Sequence, residues 1–167
     1  MKWVLIIVAF LILLVAVIAG IGMLLPKTHV ATRASRFKQS PQAIWEAITG
    51  APDWRSDIRS FENLPARDGR RSWAETDKHG QTIAYETVEE IPRTRLVTRI
   101  ATPKLPFGGT WTHEIRPLTD GSELTITEAG EIYNPIFRFM ARFVFGYSAS
   151  IETYLKALHH KFGEAGD

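Results

Sequence analysis

The sequence contains no cysteine. This absence excludes disulfide bonds, thiolate metal sites and cysteine nucleophiles. An excess of one charge is also lacking, because 20 Lys and Arg residues stand against 18 Asp and Glu residues. A nucleic-acid partner is therefore not implied. The chain carries no nucleophile-elbow motif, zinc-ligand spacing or phosphate-binding loop, and we expect neither a bound metal nor a cofactor.

Residues 3–25 contain no charged, amide or hydroxyl side chain. A helix rises about 1.5 Å per residue, so this segment covers the roughly 30 Å hydrocarbon core of a bilayer. The sequence therefore predicts a single-pass membrane anchor. A cleaved secretory signal is the alternative, although its apolar core is usually only about 7 to 15 residues long. Basic residues at the start of the following segment favour a cytoplasmic location for the rest of the chain.

Residues 27–164 are enough for one domain with a core of its own. Strand composition over residues 28–38 is followed by Ser40 and Pro41, an N-cap and first-turn proline that predict a short helix through Ile48. Six further strands are predicted over residues 58–64, 71–76, 81–91, 94–101, 110–116 and 122–132. Turn residues separate most of these segments, which indicates an antiparallel meander. Residues 104–109 are interpreted either as a mobile loop that gates a cavity or as a plain connection.

The periodicity changes at Asn134 and Pro135, where the cap-plus-proline pattern recurs. Apolar residues then follow at steps of three and four from Ile136 to Phe162, which predicts one helix of about 40 Å. Gly146 lies in the middle of this segment, where glycine is unfavourable. We interpret it as a point of close packing or a bend, with space for a ligand as the alternative.

Three segments resemble the START-like superfamily, also called SRPBCC, which includes polyketide cyclases and dehydrases. They are residues 40–48 (SPQAIWEAI), the pair Trp54 and Asp57, and residues 125–138 (TITEAGEIYNPIFR). The resemblance implies an α+β helix-grip fold, in which a curved antiparallel sheet wraps around a long C-terminal helix. It also implies a deep, mostly apolar cavity, used by different members for lipids, sterols, quinones, polyketides or plant hormones. One such fold hosts both enzymes and binding proteins.

Large rings and two polar residues are the candidate ligand contacts. Ligand pockets are lined mainly by apolar and aromatic side chains, although the same rings also fill ordinary cores. Strand alternation places His113 and Glu128 on apolar faces, where they are candidates for acid–base catalysis. A buried structural pair, or a Glu128 that holds the turn at Asn134, is the alternative. The full candidate set is Trp54, Trp73, Tyr85, Trp111, His113, Glu128, Phe139, Phe143 and Tyr147.

Three functions remain open at this point. The first is a membrane-anchored binding protein for a small hydrophobic ligand such as a lipid, an isoprenoid or a polyketide-like compound. The second is a cyclase- or dehydratase-like enzyme that uses Glu128 and His113 as acid and base. The third is a module with a filled core that recognises a protein partner.

Overall fold

A computed structural model describes residues 1–164 of the chain. The helices are α1 (Lys2–Leu24), α2 (Pro41–Thr49), α3 (Pro135–Met140) and α4 (Ala149–Lys161), and a π-helical segment (Ala141–Phe145) follows α3. The strands are β1 (Thr28–Phe37), β2 (Ile58–Arg67), β3 (Arg70–Asp77), β4 (Thr82–Ile91), β5 (Arg95–Ile100), β6 (Phe107–Leu118) and β7 (Gly121–Ile132).

All seven strands form one curved antiparallel sheet in the order β1-β7-β6-β5-β4-β3-β2. Strands β2 to β7 pair with their neighbours in sequence, while β1 pairs with the last strand, from Thr28 opposite Glu131 to Phe37 opposite Ser122. The predicted meander and the α+β helix-grip fold are confirmed. The loop predicted over residues 104–109 is shorter in the structure, because β6 already begins at Phe107. This residue pairs with Ile132 at the end of β7.

Helix α2 begins where the sequence predicts it. The Ser40 hydroxyl accepts a hydrogen bond from the Ala43 amide at 3.3 Å, and Pro41 occupies the first turn. The helix ends before Gly50. Its buried side chains include Ile44 and Trp45, which join the main hydrophobic core. A capped amphipathic helix is thereby fixed on the sheet.

Helix α4 packs on the same core as α2. Its residues Ile151 and Leu158 are fully buried, and they belong to the same core cluster as Leu124 and Ile126 of β7. Burying such a side chain contributes about 1.5–3 kcal/mol. This part of the molecule is therefore well packed.

The prediction of one long C-terminal helix is wrong. The helical path stops at Gly146, which has φ 79° and ψ 152°, and α4 starts only at Ala149. This combination of angles is essentially restricted to glycine, because a Cβ atom would strain the backbone. A Cβ atom added at Gly146 would meet nothing within 4 Å, so close packing is not the reason for glycine here. The residue breaks the helix in two.

Helix α1 is long and apolar enough to cross a membrane, and it contacts the domain only near its C-terminal end. Gly22 is buried there, and an added Cβ atom would lie 1.9 Å from the Pro135 carbonyl oxygen. Arg138, which is 6% exposed, donates a hydrogen bond to the Leu25 carbonyl oxygen at 2.8 Å. A cationic side chain at a helix C-terminus is favourable because the last carbonyl groups carry partial negative charge. These contacts join α1 to α3.

Candidate ligand cavity

A cavity of about 1110 Å³ lies between the inner face of the sheet and the helices. Its volume slightly exceeds the usual range for small-molecule sites, about 300–1,000 Å³. Residues of α2, α3, α4, the π-helical segment and all seven strands line it. Phe137 and Phe145 line the cavity and are also 48% and 65% exposed, so the cavity reaches the surface of the domain at these residues.

Seven of the nine candidate residues line this cavity. They are Trp54, Trp73, Tyr85, Trp111, His113, Glu128 and Tyr147. The other two, Phe139 and Phe143, do not line it, and their rings instead pack on each other at 4.9 Å between centroids. The prediction assumed one straight helix, whereas the π-helical segment and the break at Gly146 give this part of the chain a different set of facing residues.

Arg55 holds one polar cluster in the cavity wall. Its guanidinium group donates to Glu75 Oε2 at 2.8 Å and to Asp57 Oδ2 at 2.7 Å. Trp73 Nε1 donates to the other oxygen of Glu75 at 3.1 Å. Burial alone would raise the pKa of Asp57, but the hydrogen bond and charge of Arg55 outweigh it and lower that pKa. The cluster is a fixed ion pair with little freedom to rearrange.

Sequence reasoning missed Arg55 and Glu75. Arg55 lies in the loop between α2 and β2, where no periodicity indicates the direction of a side chain. Glu75 is on the same face of β3 as Trp73, a candidate residue. Strand alternation from Trp73 could therefore have indicated Glu75.

Tyr154 of α4 is surrounded by aromatic rings. Trp54 and Trp111 meet it edge to face at 5.2 and 5.6 Å between centroids, and the Arg55 guanidinium lies 5.6 Å from its ring. Burial raises the pKa of Tyr154, and also that of Tyr85, so both hydroxyl groups stay neutral at physiological pH. This part of the wall, next to the Arg55 cluster, is aromatic and carries two neutral hydroxyl groups.

His113 is 5% exposed, and neither of its ring nitrogens has a hydrogen-bond partner among residues 1–164. Burial lowers its pKa to about 4, because the charged imidazolium loses its hydration. The ring is therefore neutral at pH 7. It lies opposite Ile126 in the sheet, whereas Glu128 lies opposite Trp111. His113 and Glu128 share the cavity, but they do not form the pair that strand alternation suggested.

Glu128 has different partners. Ser150 Oγ donates to Glu128 Oε2 at 2.8 Å, and His29 Nε2 lies 3.4 Å from the other carboxylate oxygen. The His29 ring stacks on Tyr147 at 4.3 Å between centroids. The turn at Asn134 does not depend on Glu128, because the Asn134 side chain itself accepts from two amides of α3.

Sequence reasoning also missed His29. It lies on the same face of β1 as Ala31 and Phe37, both of which are buried, so strand alternation in β1 contained the signal.

Solved structures with the same fold support the architecture. The chain is similar to protein MLL2253 from Mesorhizobium loti, with a TM-score of 0.62 at 13% identity, over 81% of this chain and 97% of that one. It is similar to Mll3558 from Rhizobium loti, with a TM-score of 0.56 at 20% identity, over 80% and 96% of the two chains. The di-domain ARO/CYC StfQ from the steffimycin biosynthetic pathway has a TM-score of 0.59 at 15% identity, over 81% of this chain and 52% of StfQ.

At these identities the likeness shows the fold alone. The sequence matches no family model and no curated protein. The chemistry of the cavity therefore has to be argued from its own residues.

Proposed function

We propose that this protein is a membrane-anchored binding protein for a small hydrophobic ligand, such as a lipid, an isoprenoid or a polyketide-like compound. The observation that carries the proposal is the apolar, open cavity of about 1110 Å³ in the helix-grip domain. We infer that the domain is a member of the START-like superfamily, in agreement with its fold and with the segments that resemble it. The cavity also weakens the alternative of an interaction module, which requires a filled core.

The polar groups in the cavity wall favour a ligand that is largely apolar. Arg55 is already neutralised by Glu75 and Asp57, and Glu128 is occupied by Ser150 and His29. A fully ionic ligand would have to displace these partners, which is costly in a buried site. A ligand with a long apolar body and one or two neutral polar groups fits without that cost.

Helix α1 supports the membrane part of the proposal. The domain buries no residue in the most apolar stretch of this helix. The side chains of that stretch therefore have no protein partner within residues 1–164. A bilayer satisfies such a surface. Hydrophobic ligands partition into the same bilayer, and an anchor keeps the cavity close to them. The basic residues after α1 favour a cytoplasmic domain.

Photolabelling of the full chain in lipid nanodiscs tests ligand binding. A diazirine fatty acid and a diazirine isoprenoid alcohol are added, and the labelled peptides are mapped by mass spectrometry. Thr98→Trp places a large ring in the cavity, because Thr98 lines it and is only 8% exposed. Thr112→Trp is the matched control, since Thr112 lies on the adjacent strand and does not line the cavity.

We expect labelling of β6 and α4 in the wild type and in Thr112→Trp, and strongly reduced labelling of these elements in Thr98→Trp. Circular dichroism establishes that both variants are folded. Labelling confined to α1 in all three proteins, or equal labelling of β6 in the two folded variants, would contradict a binding cavity.

An acid–base enzyme of the cyclase or dehydratase type is the second candidate. It is favoured by Glu128, which lies in the cavity wall with His29 and Ser150 within 3.4 Å. His29 replaces His113 as the partner in this version of the hypothesis. Glu128→Gln should retain photolabelling and abolish turnover of a polyketide-like substrate. Intact labelling without turnover in the wild type and in the variant would reject the enzyme.

A further inference from the structure

We propose that α3 and the π-helical segment hold the opening of the cavity in the membrane interface, so that the ligand passes directly between the bilayer and the cavity. This inference rests on the proposed membrane anchor and ligand binding, and it adds the source of the ligand and the surface that meets it. The partner that it assigns to this surface is the lipid interface. The experiment below distinguishes this partner from a protein.

The surface is a cluster of exposed apolar side chains that we call the rim patch. It consists of Ile136, Phe137, Phe143, Val144 and Phe145. In the described chain after α1, these are five of the nine large apolar side chains that are exposed. Single exposed apolar residues are ordinary, whereas a cluster within ten residues of sequence indicates an interaction surface.

The contact with α1 determines where the rim patch lies relative to a bilayer. Ile18, Gly22 and Leu25 lie on one face of α1 and are covered or partly covered, and Gly22 meets Pro135 at the start of α3. This covered face extends over about 10 Å of helix. If α1 spans the membrane, α3 is in contact with its last two turns. The rim patch then begins one residue after Pro135, at the boundary between hydrocarbon and headgroups.

Arg138 makes this arrangement rigid. Its side chain is buried between the two helices and donates to the carbonyl oxygen of Leu25 at 2.8 Å and of Tyr133 at 3.4 Å. The first bond reaches the end of α1 and the second the residue just before the N-cap of α3. The orientation of α3 is thus tied to the end of the anchor.

The rim patch also forms the opening of the cavity. Ile136, Phe137 and Phe145 line the cavity and are 37%, 48% and 65% exposed. Phe143 and Val144 lie just outside the cavity wall and are 59% and 57% exposed. A surface that is continuous with both the cavity and the anchor gives an apolar ligand a path without water.

The composition of the segment is that of a membrane interface. Exposed Arg142 lies directly before Phe143, and Lys27 follows the end of α1. Basic side chains with long apolar stems place their charge among lipid phosphates, while phenylalanine rings enter the acyl boundary.

Site-directed fluorescence can measure the depth of the rim patch, because the chain has no cysteine of its own. Single cysteines replace Val144, Ile91 or Leu13 in the full chain, and each carries an NBD fluorophore. The proteins are reconstituted in vesicles of phosphatidylcholine with a minor fraction of phosphatidylglycerol, with or without doxyl-labelled phosphatidylcholine as quencher. Ile91 is the control, since it is exposed at the end of β4, outside the rim patch.

We expect quenching by doxyl lipid at positions 13 and 144, and none at position 91. Quenching at 13 without quenching at 144 would overturn the inference while leaving the anchor intact. An absence of quenching at 13 would contradict the anchor itself. A label at 144 that is shielded from water but not quenched by lipid would assign the patch to a protein contact and also overturn the inference.

A second measurement links the rim patch to ligand exchange. Phe143→Ser/Val144→Ser removes two patch side chains that do not line the cavity, and Val88→Ser/Ile91→Ser removes two exposed apolar side chains from β4. The rate of photolabelling by bilayer-dissolved diazirine fatty acid should fall about tenfold or more in the first variant, with unchanged labelling at saturation. Equal rates in the two variants would overturn the inference.

Discussion

The π-helical segment and α4, which both follow β7, use their apolar residues in opposite ways. In α4, Ile151 and Leu158 are fully buried against the sheet, whereas Phe143 and Phe145 of the π-helical segment are 59% and 65% exposed. Gly146 separates the two regions. The helical layer thus has a closed region that stabilises the fold and an open region that surrounds the cavity.

The largest effect is expected in the closed region. Leu158→Ala should lower the free energy of unfolding by about 4 kcal/mol, because it leaves a cavity in a site that is fully buried. Val144→Ala, a smaller truncation of an apolar side chain in the open region, should change it by less than about 0.5 kcal/mol. Denaturant unfolding of the full chain in detergent micelles measures both. Similar losses in the two variants would contradict the division.

His113 lies at the boundary between the two regions, because it lines the cavity and is also buried. Burial lowers its pKa from 6.5 to about 4, so the unfolded chain binds the proton more tightly. The free energy of unfolding should therefore fall by up to about 3 kcal/mol as the pH decreases from 6.5 to 4. His113 imposes no such loss above pH 6.5.

His113→Leu should remove this component of the pH dependence, and His160→Leu, at an exposed position of α4, should retain it. Unfolding curves at several pH values between 7 and 4 measure the difference. If the free energy of unfolding of His113→Leu has the same pH dependence as that of the wild type, water reaches the His113 ring.

Gly146 is expected to have an intermediate effect. Gly146→Ala forces a Cβ atom into backbone angles that other residues rarely adopt, at a cost of about 2 kcal/mol. Gly20→Ala is the control, because Gly20 lies inside α1 and has no atom within 4 Å of an added Cβ. Thermal unfolding should separate the two variants. A stabilised Gly146→Ala protein would indicate that the two helical segments can join into one.

The comparison also explains what the sequence could predict. Every strand of the sheet was found, because turn residues mark its hairpins and alternation marks its faces. The helix break was missed because apolar residues continue at steps of three and four across Gly146. In α4 these residues pack in the core, whereas Ile136 and Phe143 are exposed, and periodicity alone does not distinguish the two situations.

The polar contacts of the cavity were found only in part. Glu128 and His113 follow from alternation within single strands, and both line the cavity. The partners of Glu128 depend on the register between strands and on which residue of α4 lies above the sheet. Ser150 reaches Glu128 across 22 residues of sequence, and His29 reaches it from β1, the first strand in sequence, which pairs with β7. No local pattern contains that information.

The smallest effect on stability is expected at the contact between α1 and α3. A substitution there should nevertheless change the position of α3 relative to α1. Gly22→Ile inserts a side chain where even a Cβ atom would lie 1.9 Å from the Pro135 carbonyl oxygen. The two helices must separate, at a cost of about 1 kcal/mol. Gly20→Ile adds the same volume to α1 at a position without neighbours.

In the vesicle experiment, Gly22→Ile should reduce the lipid quenching of a fluorophore at position 144 and leave that at position 13 unchanged. Gly20→Ile should alter neither. Because both variants keep the apolar character of α1, a difference between them isolates the position of α3 from membrane insertion itself. Full quenching at position 144 in Gly22→Ile would mean that the rim patch binds the bilayer by its own apolar surface, without orientation by the anchor.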